Sequence, residues 1–210
     1  MVRILETDCH CPDRKVIEEA VRVLKNGGVV VAATDTLYGL LADPFNVSAL
    51  DQVYTIKERP RDKPLPLLLG ESHHALKIIE PSSLFWRLAL RYWPGPLTLV
   101  ARAKDSLPSH LSRWDKIGVR LPDCPLTRIL AKELGGVIVG TSANKSGRES
   151  PVTVYESVSQ LGELVDLYID SGPTYRRAPS TVVDTTGGKP IVYREGYITR
   201  EELEETLGLA

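Results

Sequence analysis

The sequence predicts a single α/β domain built on a mixed sheet, and three observations lead to this class. Short apolar runs rich in β-branched residues alternate with segments whose apolar residues recur at helical spacing. Several apolar runs near the end of the chain follow each other closely, which favours some antiparallel pairing. The length of 210 residues suits one domain and no repeat or linker interrupts it, so we expect one domain over residues 1–210.

The strands are predicted from these short apolar runs. The run over residues 29–33 follows Gly27 and Gly28 and precedes a polar segment, which is typical of a buried strand. The same criterion predicts strands over residues 2–5, 29–33, 67–69, 97–101, 117–121, 137–139, 181–183 and 191–193.

Helices are predicted where apolar residues recur every three or four positions and the flanking residues suit a helix end. Pro12 is tolerated in a first turn, and Gly27 ends the first helix. Thr199 and Glu202 have the spacing of a capping box that begins an acidic last helix. Between these ends, helices are predicted over residues 48–56, 72–79, 82–92 and 125–134.

The composition excludes several classes of protein. Hydrophobic residues make up 42% and charged residues 25%, which excludes a disordered chain. The net charge of −1 excludes a polycationic nucleic-acid binder but leaves room for a local basic patch. The longest apolar run is too short to span a membrane, and residues 1–15 lack the apolar run of a signal peptide. We therefore expect a cytoplasmic protein with no membrane partner.

The three cysteines do not predict a disulfide framework, because their number is odd. Cys9, His10 and Cys11 look like part of a metal cluster. A zinc site, however, needs about four ligands, and no second pair of Cys and His follows. We therefore expect a strand end and a turn at these residues, and no metal site.

One segment, residues 57–66, is dense in proline and charge. Lys57, Arg59, Arg61 and Lys63 occupy every second position. Each of the three prolines restricts the residue before it to extended backbone, so we expect an extended segment whose four cations share one face. Such a face would bind anions, phosphates above all. A solvated, charged loop is an equally good interpretation of the same pattern.

Polar side chains follow two buried strands directly, where ligands bind in open α/β sheets. Thr34 follows the strand over residues 29–33, and a later loop brings Ser142 and Asn144. Their hydroxyl and amide groups can hold phosphate or carboxylate oxygens, although turns of this composition are also common without a function. A nucleophilic Ser142 is disfavoured, because Asn144 stands where the G-x-S-x-G elbow requires glycine.

Arg120 is a cation inside the apolar run over residues 117–121, so it requires an anionic partner, either a ligand or a carboxylate. Neither a phosphate-binding G-x-x-x-x-G-K-[ST] loop nor a G-x-G-x-x-G motif occurs. The residues by themselves therefore predict an α/β protein with an anion-binding site and do not name a reaction.

Seven segments, taken in order, resemble the YrdC-like family, the threonylcarbamoyl-AMP synthases. They are TDTLYGL at 34–40, KERPRDKPLPLLL at 57–69, WPGPLTLV at 93–100, GVRLPDCP at 118–125, GTSANKSG at 140–147, PSTVVD at 179–184 and R-x-G at 194–196. The resemblance implies a twisted, open sheet flanked by helices, with a concave, positively charged cavity. It also implies one YrdC-like domain over residues 1–210, and we expect no room for the further C-terminal domain of longer relatives.

The resemblance implies a nucleotidyltransferase that makes threonylcarbamoyl-AMP and pyrophosphate from L-threonine, bicarbonate and ATP, with Mg²⁺ accompanying the ATP. A partner transferase would then pass the threonylcarbamoyl group to an adenosine in tRNA. Catalytic roles are implied for Lys57, Arg59, Ser142 and Asn144. ATP contacts are implied for these four and for Arg61, Ser150 and Arg194. Threonine contacts are implied for Thr34, Arg120 and Ser180, and no residue is implied as a metal ligand.

Two positions depart from the family pattern: Ala33 stands where relatives often have proline, and Asp35 stands where many have glutamate. An RNA-binding module of the same fold, for double-stranded RNA or tRNA, is the alternative function. The aromatic content of 6% disfavours it, because no aromatic-rich basic run offers a surface for base stacking.

Overall fold

The computed structural model describes residues 1–105, 107–112 and 115–208. The described strands form one mixed, eleven-stranded sheet. In chain order they are β1 (Ile4–Glu6), β2 (Val30–Ala33), β3 (Tyr38–Ala42), β4 (Leu67–Leu69), β5 (Ile79–Glu80), β6 (Leu97–Ala103), β7 (Lys116–Arg120), β8 (Val137–Ser142), β9 (Leu167–Asp170), β10 (Thr181–Asp184) and β11 (Ile191–Arg194).

Seven α-helices lie among the described residues, and none of them is long and apolar enough to cross a membrane. They are α1 (Arg14–Lys25), α2 (Val47–Ile56), α3 (Ser83–Tyr92), α4 (Ser109–Ser112), α5 (Pro125–Glu133), α6 (Val154–Leu161) and α7 (Arg200–Leu207). Two short 3₁₀ helices cover Ser72–Lys77 and Gly162–Leu164. The capping box that the sequence predicts at Thr199 is present at the start of α7.

The sheet runs in the order β1-β9-β2-β3-β8-β4-β7-β6-β10-β11, and β5 pairs with β6 beside this path. Parallel pairs, such as β4 with β7 and β6 with β10, occur next to antiparallel ones, such as β3 with β8 and β6 with β7. The predicted α/β class with a mixed sheet is therefore confirmed.

The two faces of the sheet carry separate apolar cores. The larger core holds Val31 of β2 together with apolar residues of α2 and α3. The smaller core holds the neighbouring residues Val30 and Ala32, with apolar residues of α1 and α5. The alternation within β2 shows why this strand is apolar throughout: it is buried on both faces.

Several elements differ from the sequence-based expectations. No strand is predicted over residues 38–42, but Tyr38–Ala42 form β3, which turns back antiparallel on β2. A 3₁₀ helix and β5 replace the helix expected over residues 72–79. Helix α6 and strand β9 are not predicted from the sequence.

The cysteines also differ from expectation, because the structure pairs Cys9 and Cys124 in a disulfide with Cα atoms 6.1 Å apart. The two residues are 115 positions apart in sequence. The loop after β1 passes the start of α5, where Leu126 N–H donates to the carbonyl of Cys9 at 3.0 Å. Cys11 is exposed and free.

Candidate functional site

A cavity of about 750 Å³ lies on the sheet face that carries the smaller core, beside the part covered by α1 and α5. Its floor is formed by small or apolar side chains from neighbouring strands, including Gly118, Val100 and Val182. Gly118 has no side chain to occupy this floor, and a Cβ added there would lie 3.3 Å from the side chain of Thr98. Seven of the ten residues singled out from the sequence line this cavity: Thr34, Arg59, Arg120, Ser142, Ser150, Ser180 and Arg194.

The segment over residues 57–66 is not extended along its length, so its four cations do not share one face as predicted. Lys57 is the C-cap of α2, and Glu58 has a φ of +50°, which turns the chain sharply at the helix end. Pro60 restricts only Arg59, the residue directly before it, and the chain turns again where Lys63 N–H donates to the carbonyl of Pro60 at 3.2 Å. The expectation failed for this reason.

Lys57 lies behind the cavity wall and is nearly fully buried, with 2% of its surface exposed. Its ammonium donates to the carbonyl of Ser142, to the carbonyl of Asn144 at 2.7 Å and to Asn144 Oδ1 at 3.4 Å. Burial, with a smaller contribution from the charge of Arg59, lowers the pKa of Lys57 to about 7. Lys57 therefore holds the loop after β8 from behind and does not line the cavity.

Arg59 and Arg61 have different surroundings. Arg59 lines the cavity, and its guanidinium donates to the carbonyl of Pro64 at 2.9 Å. Burial lowers the pKa of Arg59. Arg61 is exposed, pairs with Asp51 and lies over the ring of Tyr54 at 5.5 Å, outside the cavity lining.

The end of β8 and the loop after it contribute two side chains to the cavity and keep a third inside the protein. Ser142 ends β8 and faces the cavity, and Ser150 lines it further along the loop. Asn144 is buried, and its amide donates to the carbonyls of Lys145 at 3.1 Å and Arg148 at 2.6 Å. Asn144 therefore shapes the loop, together with Lys57.

Thr34 makes a tight turn between β2 and β3 at one end of the cavity. Its hydroxyl donates to the carbonyl of Leu37 at 2.7 Å and accepts from the N–H groups of Thr36 and Leu37. Ser180 lies across the floor, with its hydroxyl 2.8 Å from that of Thr98. These buried hydroxyl groups place polar atoms on an otherwise apolar floor.

Arg120 is held at this end by protein groups on three of its nitrogens. Nε donates to the carbonyl of Gly95 at 3.0 Å, one terminal nitrogen donates to Thr36 at 2.9 Å, and the other pairs with Asp35. Asp35 also accepts from Arg176 at 3.1 Å. The cation in the apolar strand thus has a structural carboxylate, and that carboxylate is shared between two guanidinium groups.

Arg194 lines the same cavity as Arg120. It donates to the carbonyl of Ser180 from two nitrogens, at 3.2 and 2.7 Å. Burial, and after it the charge of Arg120, lowers the pKa of Arg194. In the described structure no carboxylate is hydrogen-bonded to Arg194, so this residue adds to the cavity a positive charge that no such partner neutralises.

The charges of the lining favour an anionic ligand. Arg59, Lys116, Arg120 and Arg194 line the cavity, and Asp115 is the one acidic residue among the described lining residues. In the described part of the chain, no group of three or more His, Cys, Asp or Glu side chains could hold a metal ion. The site is thus suited to phosphate and carboxylate groups.

Sequence reasoning missed Lys116, Tyr193 and Asp184. Lys116 and Tyr193 line the cavity, and both donate to Asp184 behind it. The partners lie on β7, β11 and β10, so their contact depends on a strand order that sequence spacing does not encode. The one available signal was Asp184 itself, a charged residue that ends an apolar strand inside the PSTVVD segment.

Comparisons with known proteins find the same family over nearly the whole chain. The family model for Sua5, YciO and YrdC proteins, described as "Telomere recombination", matches residues 22–196. A Methanocaldococcus jannaschii relative, named provisionally as a threonylcarbamoyl-AMP synthase, is 37% identical over 191 residues and 90% of each chain is covered. The Bacillus subtilis threonylcarbamoyl-AMP synthase is 33% identical over 195 residues, with 91% of this chain and 56% of the relative covered.

Solved structures agree with this result. The crystal structure of Pyrococcus abyssi Sua5 complexed with L-threonine superimposes with a TM-score of 0.91 at 29% identity and covers 98% of this chain. This chain spans 61% of the length of that protein. Escherichia coli YciO superimposes with a TM-score of 0.85 at 27% identity, with 93% of this chain and 96% of YciO covered.

Proposed function

Because the chain belongs to the Sua5/YciO/YrdC family, we propose that it is an L-threonylcarbamoyladenylate synthase, a nucleotidyltransferase that uses ATP, L-threonine and bicarbonate. The observation that carries the proposal is one cavity whose lining combines four cationic side chains with the hydroxyl groups of serine and threonine. The named relatives and the threonine complex of Pyrococcus abyssi Sua5 support the choice of reaction.

The two substrates would divide the cavity between them. The carboxylate of threonine suits the end at Arg120, where the guanidinium of Arg120 lines the cavity and shares the Asp35 carboxylate with Arg176. Thr34 and Ser180 would provide further polar contacts to the amino acid. The triphosphate of ATP suits Arg59 and Arg194, with the hydroxyls of Ser142 and Ser150 as further donors.

The reaction has two stages. The amine of threonine attacks bicarbonate, which forms a carbamate and releases water. A carbamate oxygen then attacks the α-phosphorus of ATP; that O–P bond forms, the bond to the β-phosphate bridge breaks, and pyrophosphate leaves with its electron pair. The second step needs no general base, because the attacking carbamate is already anionic.

The main barrier to this step is repulsion between the carbamate and the triphosphate, both of which are negative. Fixed cations around the α-phosphate lower it, and holding the two reactants in line supplies most of the remaining acceleration. Mg²⁺ would enter as the counter-ion of ATP and neutralise phosphate charge. Among the described lining residues Asp115 is the one carboxylate, so the phosphates of ATP would supply most of the ligands of this ion.

Lys57 and Asn144 would act on this chemistry indirectly. Their hydrogen bonds fix the loop that presents Ser142 and Ser150. The catalytic contribution implied for them by the family resemblance becomes, on this geometry, the positioning of that loop.

The product is a mixed anhydride of a carbamic and a phosphoric acid, so it would be passed to a transferase that modifies an adenosine of tRNA in the cytoplasm. The test of the synthase proposal is pyrophosphate release by the purified protein with MgATP and bicarbonate. We expect release to require L-threonine and the adenylate product to be detected by mass spectrometry. Release that is independent of threonine would contradict the proposal.

A specific observation also favours RNA binding as a second function. The fold brings together an aromatic and basic surface from two separate segments: Arg176 lies over the ring of Tyr197 at 5.3 Å and that of Tyr175 at 6.0 Å. Tyr175 is 87% exposed, and Arg177, two residues later, is also exposed. An exposed aromatic ring can stack on a base, and a nearby cation can contact a phosphate.

RNA binding is tested by the salt dependence of tRNA affinity. We expect the logarithm of the affinity to fall linearly with the logarithm of salt concentration, and Tyr175→Ala to weaken binding about tenfold or more. An affinity that is insensitive to both salt and Tyr175→Ala would remove this second function and leave the synthase proposal unaffected.

A further inference from the structure

We propose that Asp184 is a positioning residue that fixes the β11 strand and thereby aims Arg194 into the cavity. This inference rests on the proposed function only for its kinetic test. It is drawn from the pairing of β10 with β11 and from the contacts of the Asp184 carboxylate.

The pairing of β10 and β11 contains a bulge. Asp184 pairs with Ile191 and Val183 with Val192, but Val182 pairs with Arg194, so Tyr193 is an extra residue on β11. In a regular strand, consecutive side chains point to opposite faces. The bulge removes this alternation, and Tyr193 and Arg194 both line the cavity.

Asp184 holds this bulge at its extra residue. Its carboxylate accepts a hydrogen bond from the hydroxyl of Tyr193 and one from the ammonium of Lys116 at 2.9 Å. Its other oxygen accepts from the backbone N–H of Thr186 at 2.8 Å and from the hydroxyl of Thr186 at 2.7 Å. The carboxylate is almost completely buried, so it accepts from protein groups and is shielded from water.

The arrangement spans the cavity floor. Lys116 lies on β7, Asp184 on β10 and Tyr193 on β11, while β6 runs between β7 and β10. Within the described sheet β11 pairs with β10 only, so as an edge strand it has backbone hydrogen bonds on one side. The contact between Tyr193 and Asp184 supplies a second attachment next to Arg194.

The position of Arg194 depends on this attachment, because the hydrogen bonds that its guanidinium makes within the described part of the chain all go to Ser180. Ser180 precedes β10, so those bonds also require β10 and β11 to keep their register. A loosened bulge would let Arg194 leave the cavity even though its side chain is unchanged.

The kinetic test uses Asp184→Asn and Tyr193→Phe, which keep the shape and remove the charge or the hydroxyl. We expect each variant to raise the KM for ATP about tenfold, with a smaller change in the KM for threonine, because charge-assisted hydrogen bonds are lost. In a background of Arg194→Ala, Asp184→Asn should add no further rise in the KM for ATP. A wild-type KM for ATP in both variants, or full additivity with Arg194→Ala, would overturn the inference.

Asp166→Asn is the matched control, because Asp166 also accepts a hydrogen bond, from the N–H of Val29 at 2.8 Å, and lies outside the cavity lining. We expect this control to keep both KM values. Should Asp184→Asn fail to fold, Tyr193→Phe still tests the same attachment.

A crystal structure of Asp184→Asn without substrates separates this inference from the proposed function. We expect Arg194 to lose its contacts with the carbonyl of Ser180. If the Arg194 guanidinium keeps those contacts and its place in the cavity, the inference is wrong, whatever reaction the protein catalyses. If Arg194 moves but no threonine-dependent pyrophosphate release occurs in the wild type, the inference stands and the proposed function fails.

Discussion

Lys57 and Arg120 are both buried cations beside the cavity, and the protein satisfies them in opposite ways. Lys57 donates to two backbone carbonyls and one amide oxygen, and no carboxylate among the described residues is hydrogen-bonded to it. Arg120 pairs directly with Asp35, which in turn binds Arg176. One cation is therefore held by neutral dipoles and the other by a fixed charge.

The difference follows from the chemistry of the two side chains. An arginine remains charged at any ordinary pH, so its burial requires an anion nearby. A lysine can release its proton, and burial lowers the pKa of Lys57 to about 7. The Arg120 end of the cavity thus keeps a constant charge, whereas the charge behind the loop of Ser142 varies with pH.

The comparison predicts that Asp35→Ala has the largest effect on stability. The variant leaves the buried guanidinium of Arg120 and its neighbour Arg176 without their shared carboxylate, which costs about 3–5 kcal/mol of unfolding free energy. Urea denaturation measures this loss. Asp51→Ala, which removes the partner of the exposed Arg61, is the control and should unfold close to the wild-type midpoint.

A second prediction concerns geometry at the Arg120 end. Arg120→Lys keeps the charge but loses the fork that contacts Gly95, Thr36 and Asp35 together. We expect the KM for threonine to rise about tenfold to a hundredfold, with a smaller rise in the KM for ATP. Equal changes in both KM values would show that threonine and ATP do not occupy separate parts of the cavity.

A third prediction concerns the titration of Lys57. Its native pKa of about 7 lies below the ordinary value of 10.5, so between these values the unfolded chain binds one more proton than the native protein. The free energy of unfolding of the wild type, minus that of Lys57→Met, should therefore rise with pH between these two pKa values, by at most about 1.4 kcal/mol per pH unit. Below the lower value the difference should be constant. Urea denaturation of both proteins at several pH values provides the measurement, and a flat difference would mean that the ammonium is stabilised as fully as in water.

The smallest effect is predicted for Arg61→Ala, beside a large effect for Arg59→Ala. Arg59 lines the cavity, so its loss should lower kcat/KM for ATP at least about tenfold. Arg61 is exposed and paired with Asp51, so its loss should leave kcat/KM within about twofold. Steady-state kinetics of the two variants decide whether the basic segment acts through one cation or as a continuous stripe.

The sequence predicted the fold class and most strands, because burial on both faces makes strands such as β2 continuously apolar. It failed for β3, which begins at Tyr38, two residues after the polar run Thr34-Asp35-Thr36. The hydroxyl of Thr34 turns the chain there and allows the strand to begin within a segment that reads as a loop. Local polarity therefore hid an element that tertiary contacts stabilise.

The site was predicted in part for a related reason. Loops at strand ends, and a cation in an apolar strand, are visible in one sequence, and Ser142, Thr34 and Arg120 all reach the cavity. Alternating charge did not predict which of the cations in residues 57–63 would face it, because α2 extends to Ile56 and the chain turns at Glu58. The cluster of Lys116, Asp184 and Tyr193 depends on the order of the strands in the sheet, so it could not be predicted from sequence spacing.

A crystal structure with ATP and L-threonine bound is the most direct test of whether one cavity holds both substrates on different cationic side chains. We predict that the triphosphate contacts Arg59 and Arg194, that the threonine carboxylate lies at Arg120, and that Lys57 still donates to the carbonyls of Ser142 and Asn144. Phosphate oxygens bound to the Lys57 ammonium would contradict its positioning role. Either substrate bound outside this cavity would contradict the proposed site.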